Sequence, residues 1–146
     1  MHLLLNTDGG SRGNPGPAAY GYVVRDISGL SAEASAKVDA GILLEKCGNY
    51  LGVTTNNQAE YQGLIAGIGW VLAHHPAAEL TIRMDSLLIV NQVKGLYKVK
   101  SPELLPRFRE VRGLLAKLPK WSIVHTYRSG NSLADSLVNE ALDARS

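Results

Sequence analysis

From Asn57 to Ala73 the apolar residues Tyr61, Leu64, Ile65, Ile68, Val71 and Leu72 follow the i, i+3, i+4, i+7 spacing of one helix face. Thr55-Asn56-Asn57-Gln58, just ahead of it, has the form of a capping box, with Thr55 placed to bond the third helical N–H. A helix with such a stripe must bury it, and the flanking chain supplies sheet to bury it on. Leu3–Asp8 reads as a short strand, Ala19–Ile27 is β-branched and aromatic, Leu80–Asp85 alternates, and Trp121–Tyr127 is a last strand. Gly9–Pro17 is loop punctuation. In residues 31–53, SAEASAKV alternates as a strand does, and a further strand-like piece lies within ILLEKCGNYL. A short helix covers Ser86–Val93. A longer one opens at Ser101-Pro102-Glu103 and buries Leu104, Leu105, Phe108, Val111, Leu115 and Leu118, with Pro106 delaying its start. Ser132-Leu133-Ala134-Asp135 forms a second capping box before a closing helix with Leu137, Val138 and Ala141 on its core face. Strands joined through helices imply parallel neighbours, and a leading meander implies antiparallel ones. The expected fold is therefore α/β, a mixed sheet flanked by helices, with residues 1–146 forming a single domain.

Composition narrows the function classes. Among 146 residues there is one cysteine, Cys47, which excludes an internal disulfide and a cysteine-based zinc site. No apolar run approaches the ~18 residues of a membrane span, and the first residues lack a signal-peptide pattern, so a cytoplasmic protein without membrane contact is expected. Nothing in the apolar pattern demands a partner subunit, so a monomer is expected. The net charge of +2 conceals an asymmetry. Residues 1–60 carry −2 and residues 61–146 carry +4, and between Lys94 and Lys120 eight basic side chains face only Glu103 and Glu110. A basic surface of this kind suits a polyanion, although a solvated helix face has the same composition.

Four acidic residues stand at element ends. Asp8 and Asp85 close strands, and Glu60 and Asp135 lie near helix starts. If the strands of Asp8 and Asp85 are parallel neighbours, both carboxylates reach the sheet edge where open α/β sheets bind ligands. Taken singly, each is explained by a turn or a helix dipole. Together they would repel one another unless cations intervened, and hard oxygen donors without cysteine select Mg²⁺ or Mn²⁺. Two such ions ~3.5–4 Å apart can activate water on one side of a phosphorus and stabilise the leaving oxygen on the other.

TDGGSRGNPG at Thr7–Gly16, TTNNQAEY at Thr54–Tyr61, MDS at Met84–Ser86 and RSGNSLADSLVNEAL at Arg128–Leu142 together resemble ribonuclease H, type 1, in its compact bacterial and archaeal form. The likeness spans roughly Leu3 to Leu142. It implies the ribonuclease H-like fold, a mixed five-stranded sheet flanked by helices, and cleavage of the RNA strand of RNA–DNA hybrids by in-line attack of water, leaving 5′-phosphate and 3′-hydroxyl ends. By motif position Asp8, Glu60, Asp85 and Asp135 would hold two Mg²⁺ ions, with Mn²⁺ as a substitute. Asp8 and Asp85 would contact both ions or the water between them, Asp135 the ion on the nucleophile side and Glu60 the other. The resemblance places the asparagines of these motifs, Asn14, Asn56, Asn57 and Asn131, towards the minor groove, where the 2′-hydroxyl distinguishes RNA from DNA. Gln58 is a further substrate-binding amide able to donate and accept, and helix capping alone would also account for Asn56 and Asn57. Gly9 and Gly10 would let backbone approach a sugar, and Ser11 and Arg12 would touch a strand.

The chain departs from longer relatives in three places. They carry a histidine in the loop before the last carboxylate, where this chain has Tyr127-Arg128-Ser129-Gly130-Asn131. Arg128 is the nearest counterpart; it can neutralise a phosphate but cannot serve as a general base. His125, the rival, falls within a strand. Leu87 stands where many relatives have glutamine, and the inserted basic handle is missing, with Lys94, Lys98, Lys100 and Arg107 the candidates to replace it in part. Two other readings share the fold: a non-catalytic nucleic-acid binding module and a nuclease acting on DNA.

Overall fold

The computed structural model describes residues 1–145. Five strands form one sheet: β1 (His2–Ser11), β2 (Gly16–Asp26), β3 (Ile42–Thr54), β4 (Glu79–Met84) and β5 (Lys120–His125). Their order is β3-β2-β1-β4-β5. β1, β2 and β3 are an antiparallel meander, whereas β4 joins β1, and β5 joins β4, in parallel. The mixed sheet expected from the order of elements is thus present.

The helices are α1 (Ala32–Ser35), α2 (Asn56–His74), α3 (Leu87–Lys94), α4 (Leu105–Leu115) and α5 (Ser132–Asp143). α2 packs its stripe of Leu64, Ile68 and Val71 on Leu3, Leu5, Leu80 and Ile82, all fully buried. Burial of each such side chain contributes about 1.5–3 kcal/mol, so this face carries most of the hydrophobic stabilisation. Thr55 Oγ1 accepts from Gln58 N at 3.2 Å, as the capping box predicts. α5 covers the opposite face with two small clusters, Ala19–Val138–Leu142 and Val23–Ala134–Leu137.

Three expectations are corrected. SAEASAKV is no strand. None of α1 is buried, Ser31 Oγ accepts from Ala34 N at 3.0 Å, and the chain takes one helical turn, α1. The third strand is instead a single run of 13 residues, Ile42–Thr54. Gly9, Gly10 and Ser11 are strand rather than loop, paired with Tyr20, Ala19 and Ala18. The second capping box does not form, because α5 already includes Ser132 and the residue at its cap, Asn131, points its side chain elsewhere. α4 begins at Leu105, one turn after Ser101, the delay expected from Pro106, which is accommodated in a first turn.

Candidate active site

The site forms where two neighbouring strands end at different levels. Asn6 lies opposite Arg83 in the parallel β1–β4 pair, so two residues further along each chain Asp8 and Asp85 stand side by side. Pairing with β4 stops at Asn6, while β1 continues beside β2 to Ser11. Asp8 therefore lies beside an opening in the sheet, with Asp85 just past the end of β4 at its margin.

α2 brings the third carboxylate. Its small residues Ala59, Gly63 and Gly67 lie one turn apart and face β1. A Cβ on Gly9 would stand 2.5 Å from Glu60 N and inside the Ala59 backbone, so only glycine lets the helix sit this low. At that height Gly9 N–H donates to both Asp8 Oδ1, at 2.9 Å, and Glu60 Oε1, at 2.5 Å. One oxygen each of Asp8, Glu60 and Asp85 lies within 4.8 Å of the others. Asp8 is 7% and Glu60 6% exposed, and Glu60 Oε2 is buried without a hydrogen-bond partner among the described residues.

Burial sets the electrostatics. It pushes the Asp8 carboxyl up to about 7, against the opposing bond to Glu60, and the Asp85 charge pushes the same way. Burial and then the Asp8 charge hold Glu60 well above the usual carboxylate range. Buried acids that resist ionisation, with an unpartnered oxygen among them, are the donor set a divalent cation satisfies.

α5 brings the fourth acid on the other side. A Cβ on Gly21 would lie 2.5 Å from the Ala134 carbonyl oxygen, so here too a glycine in the sheet sets how closely a helix docks. Asp135, in the first turn of α5, reaches the cleft rim and ion-pairs with Arg128 at 3.3 Å. It stands outside the tight group of three but near enough to raise Asp8 further.

A cleft of about 440 Å³ is lined by all four acids together with Gly9, Gly10, Ser11, Arg12, Asn56, Asn57 and Arg128. Asn56 Oδ1 accepts from Ser11 N at 2.7 Å and from Ser11 Oγ at 3.0 Å, and Asn56 N donates to Asn14 Oδ1 at 3.0 Å. The two motif segments are thus fastened into one wall. Arg12, at the lip, pairs with Asp143 at 2.7 Å. Asn14 and Gln58 line a second cavity that shares Asn57. The Gln58 amide is already engaged at both ends, donating to Glu103 O at 2.9 Å and accepting from Arg107 Nε at 3.2 Å.

Asn131 is not a surface contact. It is 1% exposed, donates to Thr7 O at 2.7 Å and accepts from Asn6 Nδ2 at 3.1 Å. Its amide pins the start of α5 to β1 immediately before Asp8, which makes it a positioning residue for Asp135. His125 is exposed at the end of β5, edge-on to Tyr127, and lines a different cavity. Ser86 and Asn139 also line the cleft, although the sequence reading passed over both. Asn139 follows Asp135 by four residues on a helix, and that spacing was the available signal.

An α/β fold whose sheet edge gathers buried carboxylates beside an open cleft offers an acidic triad that could hold a metal ion. Residues 6–141 match the family model described as reverse transcriptase-like. The chain is 42% identical over 136 residues to ribonuclease HI of Halobacterium salinarum, covering 93% of this chain and 62% of that protein. It is 39% identical over 146 residues to the bifunctional protein Rv2228c of Mycobacterium tuberculosis, covering 99% of this chain and 36% of that one. The crystal structure of LC11-RNase H1 in complex with an RNA/DNA hybrid superimposes with a TM-score of 0.85 at 38% identity, covering 98% of each chain. The chain belongs to the ribonuclease H family. It spans 36% and 62% of the two curated relatives. Among the described residues no helix is long and apolar enough to cross a membrane.

Proposed function

We propose that this protein is a metal-dependent endoribonuclease that hydrolyses the RNA strand of RNA–DNA hybrids, leaving 5′-phosphate and 3′-hydroxyl ends. The observation that carries this reading is the convergence of Asp8, Glu60 and Asp85 within 4.8 Å, with a buried Glu60 oxygen left unpartnered. The hybrid-bound structure of a relative at 38% identity supports the substrate class.

In this reading Asp8, Glu60, Asp85 and Asp135 hold two Mg²⁺ ions, for which Mn²⁺ can substitute. When bound, such ions supply Lewis acidity that makes water nucleophilic near neutral pH and stabilises a leaving oxygen. The chain's own groups do the rest. Gly9 N–H fixes the Asp8 and Glu60 oxygens to which it donates, so the floor of the site needs no rearrangement to receive charge. Arg128 swings its exposed guanidinium between Asp135 and the phosphate, offsetting negative charge without accepting a proton. The wall of Ser11, Asn14, Asn56 and Asn57 offers donors and acceptors for the 2′-hydroxyls of the RNA strand. The reading includes a monomer working as one domain in the cytoplasm, where the free Cys47 stays reduced.

The deciding experiment presents one end-labelled RNA strand alone, in an RNA–DNA hybrid and in an RNA–RNA duplex, with Mg²⁺, with Mn²⁺ and with chelator. The expected result is metal-dependent cutting confined to the hybrid. A folded sample that cuts nothing in either metal would overturn the enzyme reading and leave a binding module.

A further inference from the structure

The chain between β2 and β3 carries α1 across the face of the sheet on which α5 packs. Strand register puts Arg25, Leu4 and Thr81 in one row of that face and Val23, Asn6 and Arg83 in the next. The crossing segment is tied to both arginines, but differently. Arg25 is paired with Asp39 at 3.0 Å, whereas Arg83 donates to the Ser35 carbonyl at 2.7 Å. Among the described residues Arg83 has no carboxylate partner, although its side chain is half-buried. Beyond the bond to Ser35, the donors of this guanidinium stay open to solvent and are available to an incoming acceptor.

Next to it lies a cavity of about 320 Å³. Its lining includes Lys37, Arg83 and His125, the hydroxyl-bearing Thr126, and no carboxylate. Lys37 makes no side-chain hydrogen bond or ion pair among the described residues, and neither does His125. Gly130 closes one side of this cavity, while Arg128, two residues earlier in the same turn, lines the carboxylate cleft. The turn at residues 126–131 is thus a ridge with the acidic cleft on one flank and a basic cavity on the other.

We propose that this cavity is a second phosphate subsite, taking a backbone phosphate of the hybrid that flanks the cleavage point, where a strand leaving the cleft passes over the ridge. The guanidinium of Arg83 offers the paired donors that suit a phosphate, and Lys37 adds a charge at the mouth. The proposal rests on the hybrid-cleaving reading for the origin of the phosphate, but the phosphate site itself does not. It also gives a role to the segment around residues 31–40, which supplies Lys37 and holds Arg83 in place.

The test pairs kinetics with direct binding. Lys37→Gln and Arg83→Gln should each raise KM about five- to ten-fold on a long hybrid, with kcat unchanged and a hybrid too short to cross the ridge unaffected. The salt slope of hybrid binding should fall by about one for each charge removed, and Lys120→Gln, outside the cavity, should change neither. Inorganic phosphate titrated into the protein should shift the NMR signals of Arg83 Nε–H and the His125 ring, and Lys37→Gln should weaken that response. The Lys37 side chain makes no bond among the described residues, so its variant decides the matter if Arg83→Gln fails to fold. Phosphate shifts without any change in KM or salt slope would overturn the strand subsite in favour of a site for free phosphate. No shift and no change would overturn the site altogether. If the parent protein cuts no hybrid, the proposed function fails, while the phosphate titration still decides whether the cavity binds an oxyanion.

Discussion

Asp8 and Glu60 lie at the floor of the cleft with 7% and 6% of their surface exposed, whereas the side chains of Asp135 and Arg128 at its rim are 28% and 77% exposed. The floor is held by backbone: a single N–H, that of Gly9, serves both carboxylates. The rim is held by a water-accessible ion pair, the kind that contributes little to stability and exchanges partners readily. The floor therefore sets where charge can be placed and the rim adjusts to whatever arrives. Substitutions of the floor acids should abolish function and alter stability, and loss of the rim arginine should only tune rate.

The largest effect expected is that of Asp8→Asn. It removes a carboxylate from the group of three and should lower hybrid cleavage by at least about a thousand-fold, roughly 4 kcal/mol of barrier. The same change should stabilise the metal-free protein at pH 8, because it removes a buried charge that desolvation opposes. A gain on the order of 1–3 kcal/mol, or about 3–10 °C in Tm, is expected from calorimetry in chelator. Retained cleavage would show that the floor is not the reaction centre.

Next comes a comparison of adjacent glycines. A Cβ on Gly9 would collide with the α2 backbone, whereas one on Gly10 meets nothing nearer than Asn56 Oδ1, at 3.9 Å. Gly9→Ala should cost about 2–4 kcal/mol in denaturant unfolding and most of the cleavage activity, since α2 must lift and take Glu60 with it. Gly10→Ala should leave stability within about 0.5 kcal/mol. Equal effects from the two would mean that the seating of α2 does not set the floor.

The order of strands and helices was legible because amphipathic periodicity survives in single segments: the Leu64–Ile68–Val71 stripe and the alternation of Leu80 and Ile82 report their own burial. The four acids were legible as positions, since strand ends and helix starts mark the sheet edge. What stayed hidden depended on approach between segments distant in sequence. Gly9 and Gly10 carry turn chemistry locally, yet they are strand residues because α2 needs a backbone without side chains to rest on. Asn131 reads as a cap or a contact and instead turns inward, because Thr7 O and Asn6 lie beneath it across more than 120 residues of chain. SAEASAKV alternates by accident of small residues, with no neighbouring strand to reward the pattern.

A third expectation concerns pH. Asp8 ionises near 3.8 when exposed and at about 7 in the folded, metal-free protein, burial being the main cause. Between those values the unfolded chain has released a proton that the native state retains. Stability is therefore fully favoured below about pH 4 by this group and is lost as pH rises through 7, by roughly 2–4 kcal/mol. Chemical denaturation from pH 4 to pH 8 in chelator should show that decline, Asp8→Asn should flatten it, and saturating Mg²⁺ should offset it at the upper end. A parent protein whose metal-free stability shows no decline over this range would mean that the floor is hydrated and its acids ordinary.

At the rim the expected effect is smallest. Arg128 is mostly solvated, so a bond from its guanidinium to a phosphate is worth about 1 kcal/mol, and Arg128→Ala should slow cleavage about five-fold with Tm unchanged. Arg128→Lys should recover part of the rate, because charge rather than a proton is what the residue supplies. The rate dependence on pH should keep its shape in both variants, since a guanidinium does not titrate in the working range. A changed pH profile in Arg128→Ala would instead show that removing the arginine had altered Asp135, joining rim to floor and ending the division between them.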